Sequence, residues 1–269
     1  MTRRRAAVDV PPAYRCIFSY YGGKSKLAHL YPPPQFPRIV EPFAGAASYS
    51  LRHWEKEVWL YDIDPTVASA WEFLLSPGAE DAVREIPDEV RVGDNVDSLL
   101  SWAPRGLLAI ARAEANRGTQ GAKGVHRRVT ELGAQAWPRL KPRLMYWIPR
   151  VRHWRFFRSS WTAAPDLEAT WFVDPPYSTR AGSRYRQCEL DFRALGKWCL
   201  SRRGQVIACE DARATWLPFR PLTGRRGVRS RYQVSEAVEA VWARPWSPLF
   251  LSWEPSCGEG PGAAEGRPP

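Results

Sequence analysis

Arg38-Ile39-Val40-Glu41-Pro42-Phe43 leads into Ala44-Gly45-Ala46-Ala47-Ser48, and Glu57-Val58-Trp59-Leu60-Tyr61 leads into Asp62-Ile63-Asp64-Pro65. Both apolar runs have the length and the β-branched or aromatic content of buried strands. The small residues 44–48 predict a tight turn, residues 46–54 a helix, and residues 66–75 a second helix after the acids. Strand, small-residue turn, helix, strand and acid together open a Rossmann-like α/β domain, whose parallel strands are joined by crossover helices.

Working outward, Ile17-Phe18-Ser19-Tyr20-Tyr21 is a β-prone run stopped by Gly22-Gly23. Strand rhythm returns over Val151 to Phe157, over Thr170-Trp171-Phe172-Val173 and over Gly204 to Cys209. Residues 1–13 read as a flexible basic arm and residues 254–269, rich in Gly, Pro, Ala and Glu, as a disordered tail. The segment 102–150 breaks the pattern with Gly118, Gly121 and Gly124 and with Pro138, Pro142 and Pro149. It reads as an insertion between two parts of one catalytic domain, 14–101 and 151–253.

The composition, 44% apolar and 13% aromatic over 269 residues, supports a sizeable core and excludes disorder of the whole chain. No signal-peptide or membrane-length apolar run occurs, so a soluble, cytoplasmic protein is expected. The five cysteines are odd in number, scattered and never C-x-x-C, which argues against a disulfide framework and a zinc site. The formal charge of +11 is unevenly spread. Between Trp102 and Arg158 thirteen Lys or Arg face only Glu114 and Glu131, and the rest of the chain is balanced. Such a region is an electrostatic footprint for a polyanion. Trp137, Tyr146, Trp147, Trp154, Phe156 and Phe157 lie among its charges, placed to stack on bases while arginines hold phosphates. The bland account is a solvated basic face with its aromatics in the core.

Asp174-Pro175-Pro176-Tyr177 is the sharpest chemical signal, ending an apolar strand where open α/β sheets place their sites. An exocyclic nucleobase amine is a poor nucleophile because its lone pair is delocalised into the ring. Asp174 and the Pro175 carbonyl, accepting both of its N–H bonds, would favour a pyramidal nitrogen with the lone pair directed at an electrophile. The prolines stiffen the backbone, and Tyr177 can stack on an extruded base.

With these residues the chain resembles the Dam-type (alpha-group) DNA adenine methyltransferases, the compact bacteriophage members in particular. The likeness runs in order through Tyr20-Tyr21-Gly22-Gly23-Lys24, Glu41-Pro42-Phe43-Ala44-Gly45, Asp62, the basic segment and Asp174 to Tyr177. It implies a methyltransferase sheet with an inserted DNA-recognition subdomain, S-adenosylmethionine as cofactor and the 6-amino group of a flipped adenine in double-stranded DNA as acceptor. By the resemblance, Asp174, Pro175, Pro176 and Tyr177 are catalytic. Tyr20, Lys24, Glu41, Phe43, Ala44, Gly45, Asp62 and Asp174 contact the cofactor, Lys24 through its carboxylate and Asp62 through the ribose hydroxyls. Arg127, Arg128, Arg139, Lys141 and Arg143 are the candidate DNA contacts. A monomer is expected, without metal or membrane, with any restriction endonuclease a separate protein in a bacterial or phage-infected cell. The chain departs from the family pattern at Ala47, where many relatives have a second glycine, and at Arg158-Ser159-Ser160-Trp161, where an acid is expected.

Other motifs fail. Gly23-Lys24-Ser25 lacks the glycine a P-loop needs at Phe18, no G-x-S-x-G occurs, and His29, His53, His126 and His153 are unclustered. Glu210-Asp211 after the late strand could reach the site, because strand ends converge there, but a solvated turn is the favoured reading. Methyl transfer on the same fold to RNA, to cytosine amines or to protein glutamine remains an alternative, as does a catalytically silent DNA-binding protein.

Overall fold

The computed structural model describes residues 15–117, 127–179, 189–222 and 238–244. The expected arm 1–13 and tail 254–269 lie outside these residues, as do Gly118, Gly121, Gly124 and His126. The chain is an α/β protein built on a mixed seven-stranded sheet of Rossmann-like character. In chain order the strands are β1 (Arg38–Glu41), β2 (Glu57–Tyr61), β3 (Arg155–Phe157), β4 (Ala169–Val173), β5 (Gly204–Asp211), β6 (Arg220–Pro221) and β7 (Glu239–Arg244). Across the sheet they run β3-β2-β1-β4-β5-β7-β6. The first five are mutually parallel, and β7 pairs antiparallel with both β5 and β6.

Side chains alternate across the sheet with the period of two that strands impose. Ile39, Phe172, Ile207 and Cys209 enter one core, and Val40, Ala169, Trp171, Val173, Val206 and Ala208 the other. Burial on both faces explains why β4 and β5 read as continuous apolar runs. Eight helices occur among the described residues: α1 (Ser48–Leu51), α2 (Pro65–Leu74), α3 (Ala79–Arg84), α4 (Val96–Leu99), α5 (Arg105–Ala115), α6 (Glu131–Ala136), α7 (Leu140–Val151) and α8 (Phe192–Ser201). The first core is shared with α2, α5 and α7 through Val67, Trp71, Leu107, Ile110, Leu144 and Trp147. The second is covered by α8 through Leu195 and Cys199.

Helix α2 starts where its capping chemistry dictates. Asp64 accepts from the Thr66 and Val67 amides, and Pro65 occupies the first helical position. The helix expected over 46–54 is shorter, because Ala47 adopts a left-handed conformation (φ 47°, ψ 42°) that helical residues cannot share. The strand expected over 151–157 is confined to β3, since α7 continues through Pro149 to Val151.

Residues 17–21 form no strand. At Ile17 a side chain takes a backbone carbonyl that a sheet ladder would use. Arg143 Nε donates to the Ile17 carbonyl at 3.1 Å, and Ser19 Oγ to Glu114 at 3.1 Å. Ile17 and Phe18 are core residues, with Phe18 edge-on to Trp71. The described part of 102–150 is helical and lies in the long crossover from β2 to β3. Its α5 packs on α2 and its α7 on α3, so it joins the main core.

Candidate active site

The chain leaves β1 toward β2 and β3 on one side and later fills β4 and β5 on the other. The neighbouring ends of β1 and β4 therefore form a topological switch point, where open α/β sheets make their clefts. A cleft of about 990 Å³, counting its open mouth, lies there. Tyr20, Lys24, Glu41, Phe43, Ala44, Gly45, Asp62, Asp174 and Pro176 all line it. Residues from Tyr20 to Pro176 are thus brought to one wall-and-floor arrangement. No cation–anion cluster of this kind can be inferred from neighbours in sequence.

The turn after β1 is held from three sides. Ala44 N donates to Tyr61 O at 2.9 Å, Gly45 N to Asp62 Oδ2 at 3.0 Å, and Trp71 Nε1 to Gly45 O at 2.8 Å. Gly45 has φ +46°, and a Cβ there would stand 3.4 Å from the Tyr20 ring. Glycine keeps both the conformation and the open floor of the cleft. Asp62 also accepts from Asp64 N at 2.8 Å, and burial raises its pKa to about 6 against these bonds. Glu41, 2% exposed, accepts from Ser50 N at 2.9 Å, and burial pushes its carboxyl to about 8.

Asp174 follows β4 directly. Lys24 Nζ stands 2.6 Å from its Oδ1 and also donates to Gly22 O at 3.3 Å. Burial lifts the Asp174 pKa to about 6; Lys24 opposes the rise, and Glu239 and Glu210 add to it. In this state Lys24 meets Asp174 rather than standing apart for a ligand carboxylate. Its ammonium also lies 4.7 Å from the centre of the Tyr177 ring. Pro175 is buried beside it. No known protein family matches the chain, and no curated protein matches its sequence.

Two carboxylates that motif reading passed over complete the site. Tyr177 Oη donates to Glu239, lying 2.7 Å from each carboxylate oxygen, and Tyr31 Oη donates to the same group at 2.6 Å. Glu239 enters from β7, and nothing near it in sequence marks it. Glu210 and Asp211 are not a solvated turn, because β5 continues through both and each is 0% exposed. Glu210 receives Ser178 N at 3.0 Å, Asp211 N at 2.9 Å and Trp216 Nε1 at 3.0 Å, which fixes the chain just past Tyr177. Its position after an apolar strand neighbouring β4 was the available clue. Ser160 and Trp161 also line the cleft, with Ser160 Oγ capping Thr162 N at 3.4 Å.

The candidate DNA contacts separate. Arg127, Arg128 and Arg139 are exposed. Arg127 pairs with Asp97 at 3.2 Å, Arg128 donates to Gly93 O at 3.0 Å, and Lys141 pairs with Asp88 at 2.7 Å. Arg143 must be corrected. It is 1% exposed and pairs at 2.7 Å with Glu114, itself 0% exposed, so it cannot reach a phosphate. Trp137, Trp147 and Trp154 are likewise core residues, at 1%, 0% and 4% exposure, and cannot stack on bases.

Among the described residues no helix is long and apolar enough to cross a membrane.

Proposed function

We propose that the chain is a methyltransferase that moves a methyl group from S-adenosylmethionine to the 6-amino group of an adenine flipped out of DNA. One observation carries the reading: Asp174, at the end of β4, shares a single cleft with the Gly45 turn and with Asp62, at the end of β2. The residues fit the cofactor. The turn floor is clear of any side chain at Gly45, and Tyr20 bounds it. Asp62 is held by two backbone amides, and its remaining lone pairs can accept ribose hydroxyls. The buried acids suit a cationic ligand.

Bound, S-adenosylmethionine supplies an electrophilic methyl group on a positively charged sulfur. The chain's own task is to orient and polarise the amine. Lys24 engages Asp174 Oδ1 and leaves Oδ2, which has no hydrogen-bond partner among the described residues, to accept an amine N–H. The carbonyl of Pro175 would accept the second. Glu239 fixes the Tyr177 hydroxyl, so the ring is held for stacking on the extruded base. With its pKa raised to about 6, Asp174 can take the proton that the methylated amine releases. Exposed Arg127, Arg128 and Arg139 support a nucleic-acid acceptor.

The test is transfer from methyl-labelled S-adenosylmethionine to unmethylated duplex DNA, with the digested nucleosides resolved. Label in N6-methyladenine, lost in Asp174→Ala, is the expected result. Label only in RNA, cytosine or protein would replace the acceptor. Cofactor binding with no transfer to any of them would leave a silent DNA-binding protein.

A further inference from the structure

A second groove, about 1110 Å³ counting its open mouth, lies between α8 and the segment that follows β5. Its walls include Ser178, Thr179, Arg193, Lys197, Arg213 and Trp216. Its charge is opposite to that of the first cleft. Among the described residues, Glu41, Asp62, Asp64, Asp174 and Glu189 line the first with Lys24 as their one cation, whereas the second is lined by three cations and no acid. Arg193 and Lys197 stand four residues apart on α8, which places them on one helix face. Both are exposed, and neither is in an ion pair among the described residues. Asp211 grips Arg213 through Nε and Nη2, each at 2.8 Å, and so orients its guanidinium.

The two cavities share the chain past β4. Pro176 lines the first and Ser178 the second, and two residues of backbone span at most about 7 Å. That is the scale of one nucleotide. The groove floor is close-packed rather than loose, since a Cβ on Gly196 would come within 2.9 Å of the Trp216 carbonyl oxygen. Glu210 ties the walls together, receiving both Ser178 N and Trp216 Nε1.

We propose that this groove seats backbone phosphates of the DNA strand whose adenine enters the Asp174 cleft, with Arg193 and Lys197 as the principal contacts. The inference rests on the reading of the chain as a DNA methyltransferase and extends it to a phosphate site outside the basic segment 102–158. A strand whose base is held over Tyr177 must carry its sugar-phosphate past Ser178, where Arg193 and Lys197 stand exposed without an ion-pair partner among the described residues.

The experiment measures fluorescence anisotropy of a labelled adenine-containing duplex across a salt series, with the parent and the double variant Arg193→Ala/Lys197→Ala. Arg213 is left in place, because its loss would strand the buried Asp211. Loss of two phosphate contacts predicts roughly tenfold weaker binding near 0.1 M salt and a log–log salt slope shallower by about 1.8. The charge-preserving pair Arg193→Lys/Lys197→Arg should keep the parent slope, and S-adenosylmethionine binding should be unchanged in both. Parent affinity and slope in the alanine variant, with the parent binding and methylating DNA, would overturn the groove alone. A parent chain that binds no duplex would overturn the DNA reading and the groove with it.

Discussion

Around the cleft, three carboxylates are held chiefly by the main chain, Asp62 by the amides of Gly45 and Asp64, Glu41 by Ser50, and Glu210 by Ser178 and Asp211, whereas Asp174 meets Lys24 and Glu239 the hydroxyls of Tyr31 and Tyr177. Among the described residues of the basic, mostly helical layer 102–158, charges are held mainly by other charges: Arg143 by Glu114, Arg112 by Asp97, Lys141 by Asp88, Arg152 by Glu80, Arg158 by Glu72. The first arrangement is set by strand-end turns and cannot rearrange without breaking them. The second ranges from a sealed pair, in which removal of one partner costs several kcal/mol, to surface pairs worth almost nothing. Composition therefore overstates the cations that the helical layer can present to a polyanion.

The most damaging substitution expected within this contrast is Arg143→Ala. It strips buried Glu114 of its nearer guanidinium partner, with Arg117 at 3.0 Å remaining, and removes the donor to the Ile17 carbonyl in the segment that leads into Tyr20 and Lys24. Denaturant unfolding should show a loss of about 3–5 kcal/mol. Exposed Arg139→Ala should stay within about 0.5 kcal/mol. Equal costs for the two would erase the division of the helical layer into buried and surface charge.

Next comes Asp174→Asn, which keeps shape but accepts and releases protons poorly. Transfer at saturating cofactor and DNA should fall by about 10²–10³, with cofactor affinity close to the parent's. The same residue predicts a pH limb. Its carboxylate must be ionised to accept the amine, and burial places its pKa at about 6, so the parent's rate should drop as pH falls below about 6. A rate flat down to pH 5 would remove Asp174 from that role.

A smaller effect is expected at Glu41. Its pKa is about 8 in the folded chain against an ordinary 4.5, so the folded state holds the proton more tightly. Its contribution is complete below about 4.5 and is lost as pH rises through about 8. Glu41→Gln should flatten the stability–pH curve over that window by on the order of 2 kcal/mol. Parallel curves for parent and variant would show that the main-chain bond offsets the burial. The smallest effect is at Ala47, whose left-handed φ of 47° strains any residue with a Cβ. Ala47→Gly should raise thermal stability by up to about 1 kcal/mol, because relief of that strain outweighs glycine's backbone entropy. A loss of stability instead would show that the turn tolerates alanine without strain.

Legibility in the sequence followed the same division. Strands β1, β2, β4 and β5, the helix α2 after Pro65 and the glycine turn were readable because each depends on residues within a few positions: apolar runs, a proline at a helix start, a small residue at a turn. The cleft residues from Tyr20 to Asp174 were readable one motif at a time. The strand expected at 17–21 was misread because its polar groups bond to Arg143 and Glu114, across 126 and 95 residues. Glu239 was invisible for a similar reason, since it meets Tyr177 across 62 residues and Tyr31 across 208.

By itself the sequence determined the α/β class, the strand ends that carry Gly45, Asp62 and Asp174, and the uneven distribution of charge. Only the tertiary structure decided which arginines face water, that Lys24 meets Asp174, and that Glu239 and Glu210 hold the chain around Tyr177. The physical reason is range. Backbone turns and caps are local, whereas a buried charge survives only beside a partner, and chain packing chooses that partner.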